Sequence, residues 1–144
     1  TPPMSREQLL TPEEANELLP RIIPLLEQLQ SLHQSITQTT RELDESVRKL
    51  SQGNGHPLQE IRQHVEELAR HQLVLLEAFR SALQQLEDLG AVLKDLSQGL
   101  VDFYAMHGAD LVYLCWKLGE DQVRFWHSLE AGFAGRRPLE ERPS

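Results

Sequence analysis

Two apolar positions recur every seven residues between Leu58 and Leu96, one series reading Leu58, Val65, Gln72, Phe79, Leu86, Leu93 and the other Ile61, Leu68, Leu75, Ala82, Leu89, Leu96. That spacing keeps one seam of an α-helix apolar over roughly 60 Å, at about 1.5 Å per residue, and a seam of that length needs a partner. The partner lies upstream, where Ala15, Ile22, Leu29, Ile36, Leu43 and Leu50 recur at sevens, with Leu18, Leu25 and Leu32 in the companion positions. Thr11-Pro12-Glu13-Glu14 reads as its start: Thr11 caps, Pro12 sits where a missing N–H is harmless, and Glu14 completes a capping box. Pro20 and Pro24 each delete a backbone donor, which predicts a kink or restart near residues 19–24. Beyond Ile36 the companions become Thr39 and Ser46, so packing should loosen there.

Ser51-Gln52-Gly53-Asn54-Gly55 is a turn, because two glycines around an asparagine permit positive φ, and His56-Pro57 opens the second helix. Helices over 11–50 and 57–97 joined so tightly fold back as an antiparallel hairpin, with Leu75 at the level of His33 and Leu89 beside Leu18 and Leu19. Leu73-Val74-Leu75-Leu76 goes right round its helix, more than one neighbour covers. A second copy is the expected cover, giving a homodimeric four-helix arrangement; the alternative is a C-terminal segment folding back. Gln72, polar within the seam, either fixes register or meets its symmetry mate.

Ser97-Gln98-Gly99 closes the second helix, with Gly99 as a left-handed cap. The pattern then changes to a small head over 100–139, followed by a tail at 140–144. Leu100–Tyr104 and Leu111–Leu118 are β-compatible, with Gly108 between them. Gly119-Glu120 has the form of a two-residue hairpin turn, with Gln122–His127 as the return strand. That closure pairs Trp116 with Val123, Leu114 with Phe125 and Val112 with His127, leaving Tyr113, Cys115, Lys117, Arg124 and Trp126 on the other face. A short helix over Gln122–Leu129 competes, because Val123, Trp126 and Leu129 also fit a helical stripe. The expected fold is therefore mainly α with a small β element, one domain built as a long two-helix hairpin plus a C-terminal antiparallel β-hairpin or meander.

A length of 144 residues suits one domain. The net charge of −8 disfavours nucleic acid and anionic lipid as partners, and no apolar run approaches the 18 or so residues of a membrane span. No signal peptide is legible, Met4 reads as a native start, and a cytoplasmic location is expected. The single cysteine, Cys115, excludes an internal disulfide framework and fits a reducing compartment.

Six histidines and 22 carboxylates raise the question of metal. A di-iron bundle needs Glu-x-x-His on inward positions, and no Glu here has a His three residues later. Glu60 with His64 and Glu67 with His71 lie one turn apart beside the seam and read as solvated flanks. His33 reads as an interface histidine. In the head, Asp102, His107, Cys115, Glu120 and His127 are all metal-competent, with Cys115, His127 and Glu120 the metal candidates. The hairpin register above puts Cys115 and His127 on opposite faces, so no cofactor is required by the sequence; an odd loop or a helical 122–129 segment would be needed to unite them. Gly132, Gly135, Arg136 and Arg137 form a structural turn or an anion-binding corner.

Thr11–Pro20, Leu93-Lys-Asp-Leu, Gly99-Leu-Val-Asp-Phe103, Tyr113-Leu-Cys-Trp-Lys-Leu-Gly-Glu120, Phe125-Trp-His127 and Gly132-Phe-Ala-Gly-Arg-Arg-Pro-Leu139 together resemble a prokaryotic group, domain-of-unknown-function family 2203. The likeness runs from Thr11 to Leu139 and departs where Tyr104 follows Phe103 in place of a proline common in the family. It implies no activity, but it implies a functional surface around Cys115, Trp116, Glu120, Trp126, His127 and Arg136. The functional expectation is a non-enzymatic dimer whose head binds a protein partner or small ligand, with Trp116 and Trp126 as anchors and Asp102 in the binding set. The alternative is a metal- or thiol-dependent enzyme using Cys115, His127 and Glu120, with Asp102 orienting a ligand and Arg136 holding an anion.

Overall fold

The computed structural model describes residues 9–52 and 58–139. Two long helices, α1 (Pro12–Gln52) and α2 (Leu58–Asp88), precede five strands, β1 (Ala91–Asp95), β2 (Leu100–His107), β3 (Asp110–Lys117), β4 (Phe125–Ser128) and β5 (Arg137–Pro138). The strands form one antiparallel meander in chain order. The mainly helical class with a small C-terminal β-meander is therefore the observed one. The glycine turn at 53–55 and its His56-Pro57 exit, and the tail at 140–144, lie outside the described residues.

The chain divides into two compact units, one made of residues up to Glu27 together with those from Gln84 onward, the other of Gln28–Leu83. In the Gln28–Leu83 unit, Gln72 donates from Nε2 to Thr40 Oγ1 at 2.7 Å and to the Ile36 carbonyl at 3.4 Å. Gln72 thus ties α2 to α1 within one chain, at the antiparallel register that sets Leu75 level with His33. Thr39, which is buried, satisfies its hydroxyl on the Ser35 carbonyl at 2.8 Å, so it takes a seam position without an unmet polar group. Leu73 and Val74 are each 66 % exposed and Leu76 46 %.

In the other unit α1 begins with a reciprocal capping box: Glu14 N–H donates to Thr11 Oγ1 at 3.1 Å and Thr11 N–H to Glu14 Oε1 at 2.9 Å. The helix continues through Pro20 and Pro24 without a restart. Ala15, Leu19, Ile22 and Leu26 are its buried positions here, while Leu18 and Leu25 remain half-buried. The second helix stops at Asp88, short of the expected 97. Gly90 takes φ +95 and donates to the Glu87 carbonyl at 2.9 Å, a helix-ending conformation that side chains resist. Leu93 and Leu96 continue the heptad count past that glycine, but Leu93 lies in β1 and Leu96 in the following turn. Gly99, read from sequence as the helix cap, instead turns β1 into β2 at φ +66, in a turn where Asp95 Oδ1 accepts from Ser97 Oγ at 2.8 Å and from Gln98 N–H at 3.2 Å. Among the described residues no helix is long and apolar enough to cross a membrane.

Candidate metal centre

The β2–β3 hairpin closes on Gly108-Ala109, with His107 opposite Asp110, and this sets Asp102 directly opposite Cys115. The β3–β4 register then departs from the one expected. Tyr113 pairs with His127, Leu114 with Trp126 and Cys115 with Phe125, one residue away from the two-residue closure. The chain does turn at Gly119, where Glu120 N–H donates to the Lys117 carbonyl at 3.0 Å, but Val123 does not rejoin the ladder opposite Trp116. Its N–H donates to Asn16 Oδ1 on α1 at 2.6 Å and the valine is buried. The return strand starts only at Phe125, and residues 125–128 are strand, not helix.

A one-residue slip moves every side chain of a strand to the other face. Side chains two apart share a face, so Asp102, Cys115 and His127 now lie on one side of the sheet, with Trp126 on the other. Their ligand-capable atoms all fall within 4.8 Å of one another, and the three residues are 2 %, 0 % and 2 % exposed. The expectation that no cofactor is required is corrected by this cluster: three buried donors of thiolate, imidazole and carboxylate type converge as a metal ion needs. The reason is the odd-numbered register that Asn16 and Val123 impose.

Hydrogen bonding around His127 decides which ring nitrogen faces the cluster. Nδ1 lies 2.7 Å from the Ser128 carbonyl, which can only accept, so Nδ1 carries a proton and donates it. Nε2 then points to Asp102 Oδ2 at 3.0 Å. A backbone carbonyl on one nitrogen with the other directed at a donor set is how metal-ligating histidines are oriented. Asp102 Oδ1 is buried with no hydrogen-bond partner. Burial raises the Asp102 carboxyl above the ordinary carboxylate range, against the opposing charges of His127 and Lys94. Burial, with the neighbouring Asp102 charge, pushes the Cys115 thiol up to about 12. Burial thus favours the neutral forms of both acids.

Lys94 of β1 reaches over the same face. Its Nζ lies 4.0 Å from Asp102 Oδ2 and 4.2 Å from the Tyr113 ring centroid, and its side chain is 36 % exposed. Tyr113 donates to the Tyr104 hydroxyl at 3.1 Å, and both rings are buried. Burial pushes Tyr104 up to about 12.

Glu120 is not in the cluster. Its Oε2 accepts from Arg136 Nη2 at 2.6 Å and its Oε1 from the Lys117 N–H at 2.9 Å. Arg136 stacks its guanidinium on Phe125 at 3.7 Å and on Phe133 at 4.5 Å. Trp116 is fully buried and donates Nε1–H to the Glu120 carbonyl at 3.1 Å, so it braces the loop and is not available as an exposed anchor. Trp126 stacks on His107 with centroids 4.3 Å apart. Glu60, His64, Glu67, His71 and His33 are exposed on the helices. Sequence reasoning missed Lys94, the Ser128 carbonyl and the tie made by Asn16. None of these had a direct sequence signal, whereas the Asp102–Cys115 pairing did, since a two-residue turn at Gly108-Ala109 fixes it by counting.

No curated protein and no solved structure matches the chain. Residues 8–139 match the model of the family described as "Uncharacterized conserved protein (DUF2203)", and the chain belongs to that family.

Proposed function

We propose that this chain binds one divalent transition-metal ion of the zinc class through Asp102, Cys115 and His127. The observation that carries this reading is the commitment of His127 Nδ1–H to Ser128, which leaves Nε2 aimed at a buried carboxylate and thiol. Ligands around a tetrahedral zinc stand about 3.5 Å apart, so donors separated by at most 4.8 Å need only a small inward movement. Three protein donors leave a fourth position for an exogenous ligand, the arrangement found where a metal does chemistry. Metal is favoured over a free-thiol nucleophile, because a Cys115 thiol pushed up to about 12 has little thiolate at neutral pH. A lone thiol in such a set fits a reducing compartment such as the cytoplasm.

The test is elemental analysis of protein purified without chelator, followed by zinc uptake by the apo-protein. Stoichiometric metal in the wild type, abolished in Cys115→Ser and His127→Gln, is expected. Failure of the folded apo-protein to take up zinc, cobalt or nickel overturns the reading.

A second proposal concerns assembly. The exposed Leu73, Val74 and Leu76 on α2 favour a homodimer built through the helices. Sedimentation at micromolar concentration should give twice the chain mass for the wild type, and Leu73→Gln combined with Leu76→Gln should shift it to the monomer. A wild-type monomer removes this part alone.

A further inference from the structure

We propose that the metal centre carries a small anion in its remaining coordination position, seated against Lys94. The proposal rests on the metal reading above and follows from charge and access. A divalent ion bound by the Asp102 carboxylate, the Cys115 thiolate and a neutral His127 imidazole is formally neutral. The two cationic side chains near the cluster then differ. Arg136 is already balanced by Glu120, 2.6 Å away. Among the described residues Lys94 ion-pairs with Asp102, at 4.0 Å, and that charge is neutralised once the metal is bound. Lys94 is left as a positive charge beside a buried metal with an unfilled position, and an anion answers both.

Access sets the size. The three donor residues and the rings of Tyr104 and Tyr113 on the same face are buried. The Lys94 side chain is 36 % exposed while its Nζ lies 4.0 Å from the Asp102 carboxylate, which makes it the partly solvated charge beside the cluster. Asp102 Oδ1, on a side chain 3 % exposed, is a buried oxygen with no hydrogen-bond partner, a lone pair that a bound cation would satisfy. Burial to this degree favours a small anion over a phosphate ester or a nucleotide.

Cobalt(II) in place of the native ion makes the proposal readable, because thiolate-to-cobalt charge-transfer absorption reports the metal site and the ligand-field bands report the fourth ligand. Titrating cobalt-loaded protein with azide should shift the ligand-field bands saturably. Lys94→Met should leave the thiolate band intact while weakening azide binding by roughly three- to tenfold, the effect of one charge removed about 4 Å away in a partly solvated setting, and Lys94→Arg should restore it. A thiolate band with ligand-field bands that azide does not move overturns the anion proposal and leaves the metal reading standing. Equal azide affinity in wild type and Lys94→Met overturns the role of Lys94. Absence of the thiolate band from folded, cobalt-treated protein overturns both.

Discussion

Asp102 and Cys115 stand directly opposite each other across the β2–β3 ladder, a carboxylate against a thiol, both almost without solvent contact. Without a cation burial disfavours the charged form of both groups, and the Asp102 charge raises the proton affinity of Cys115 further. A divalent ion removes that conflict at once. Zinc should therefore raise the thermal midpoint of the apo-protein, by about 2.7 kcal/mol of stability at a hundredfold excess over the dissociation constant. Asp102→Asn, which keeps the shape and loses the charge, should keep the apo midpoint and lose most of the zinc-dependent shift in a thermal melt.

The Cys115 thiol gives a pH signature with a definite sign. Its folded value is raised from the ordinary 9.0 to about 12. Below pH 9 the folded and unfolded chains both hold the proton, and the contribution to stability is fully present. Between pH 9 and 12 the unfolded chain releases the proton while the folded chain keeps it, so stability falls as pH rises. Urea midpoints of the metal-free wild type should drop more from pH 9 to 11 than those of Cys115→Ala. Tyr104, also raised to about 12, acts in the same direction in both proteins and cancels from the comparison. With zinc bound the sense reverses, because the metal holds a thiolate and acid competes with it.

The helices were legible because heptad spacing and a capping box are local patterns, and Thr11 with Glu14 makes the pair of bonds that the spacing implies. The end of α2 was misread because Leu89, Leu93 and Leu96 keep the heptad while one residue, Gly90, ends it; leucine count outweighed a single backbone signal. The site was hidden by parity. Every residue in the cluster was recognisable as metal-competent, yet whether Cys115 and His127 share a face turns on whether Trp116 or α1 takes the Val123 N–H. That choice is made by Asn16, more than a hundred positions away in sequence, and no local pattern carries it.

Asn16 is accordingly the residue through which the fold sets the register of β4. Asn16→Ala removes the acceptor from a buried N–H and should destabilise the protein by about 1–3 kcal/mol in urea titration. The same change should weaken zinc binding although Asn16 touches none of the three donors, because His127 follows the strand that Val123 anchors. Asn16→Asp retains an acceptor oxygen and should recover most of both losses. Calorimetric titration of zinc against the three proteins checks the coupling.

Gly99 and Gly119 separate backbone strain from steric overlap within one unit. Both hold positive φ, +66 and +107, which an L side chain adopts at a cost of roughly 1–2 kcal/mol. A Cβ on Gly119 meets nothing within 4 Å, so Gly119→Ala should lose about that amount and no more. A Cβ on Gly99 would stand 2.6 Å from Leu118 Cβ, at the point where Leu118 N–H donates to the Gly99 carbonyl at 3.0 Å. Relieving that overlap displaces the end of β3 or the β1–β2 turn, so Gly99→Ala should destabilise by about 1–3 kcal/mol more than Gly119→Ala. Lys94 sits on the strand leading into that turn, so the azide affinity of cobalt-loaded protein should fall in Gly99→Ala and stay unchanged in Gly119→Ala.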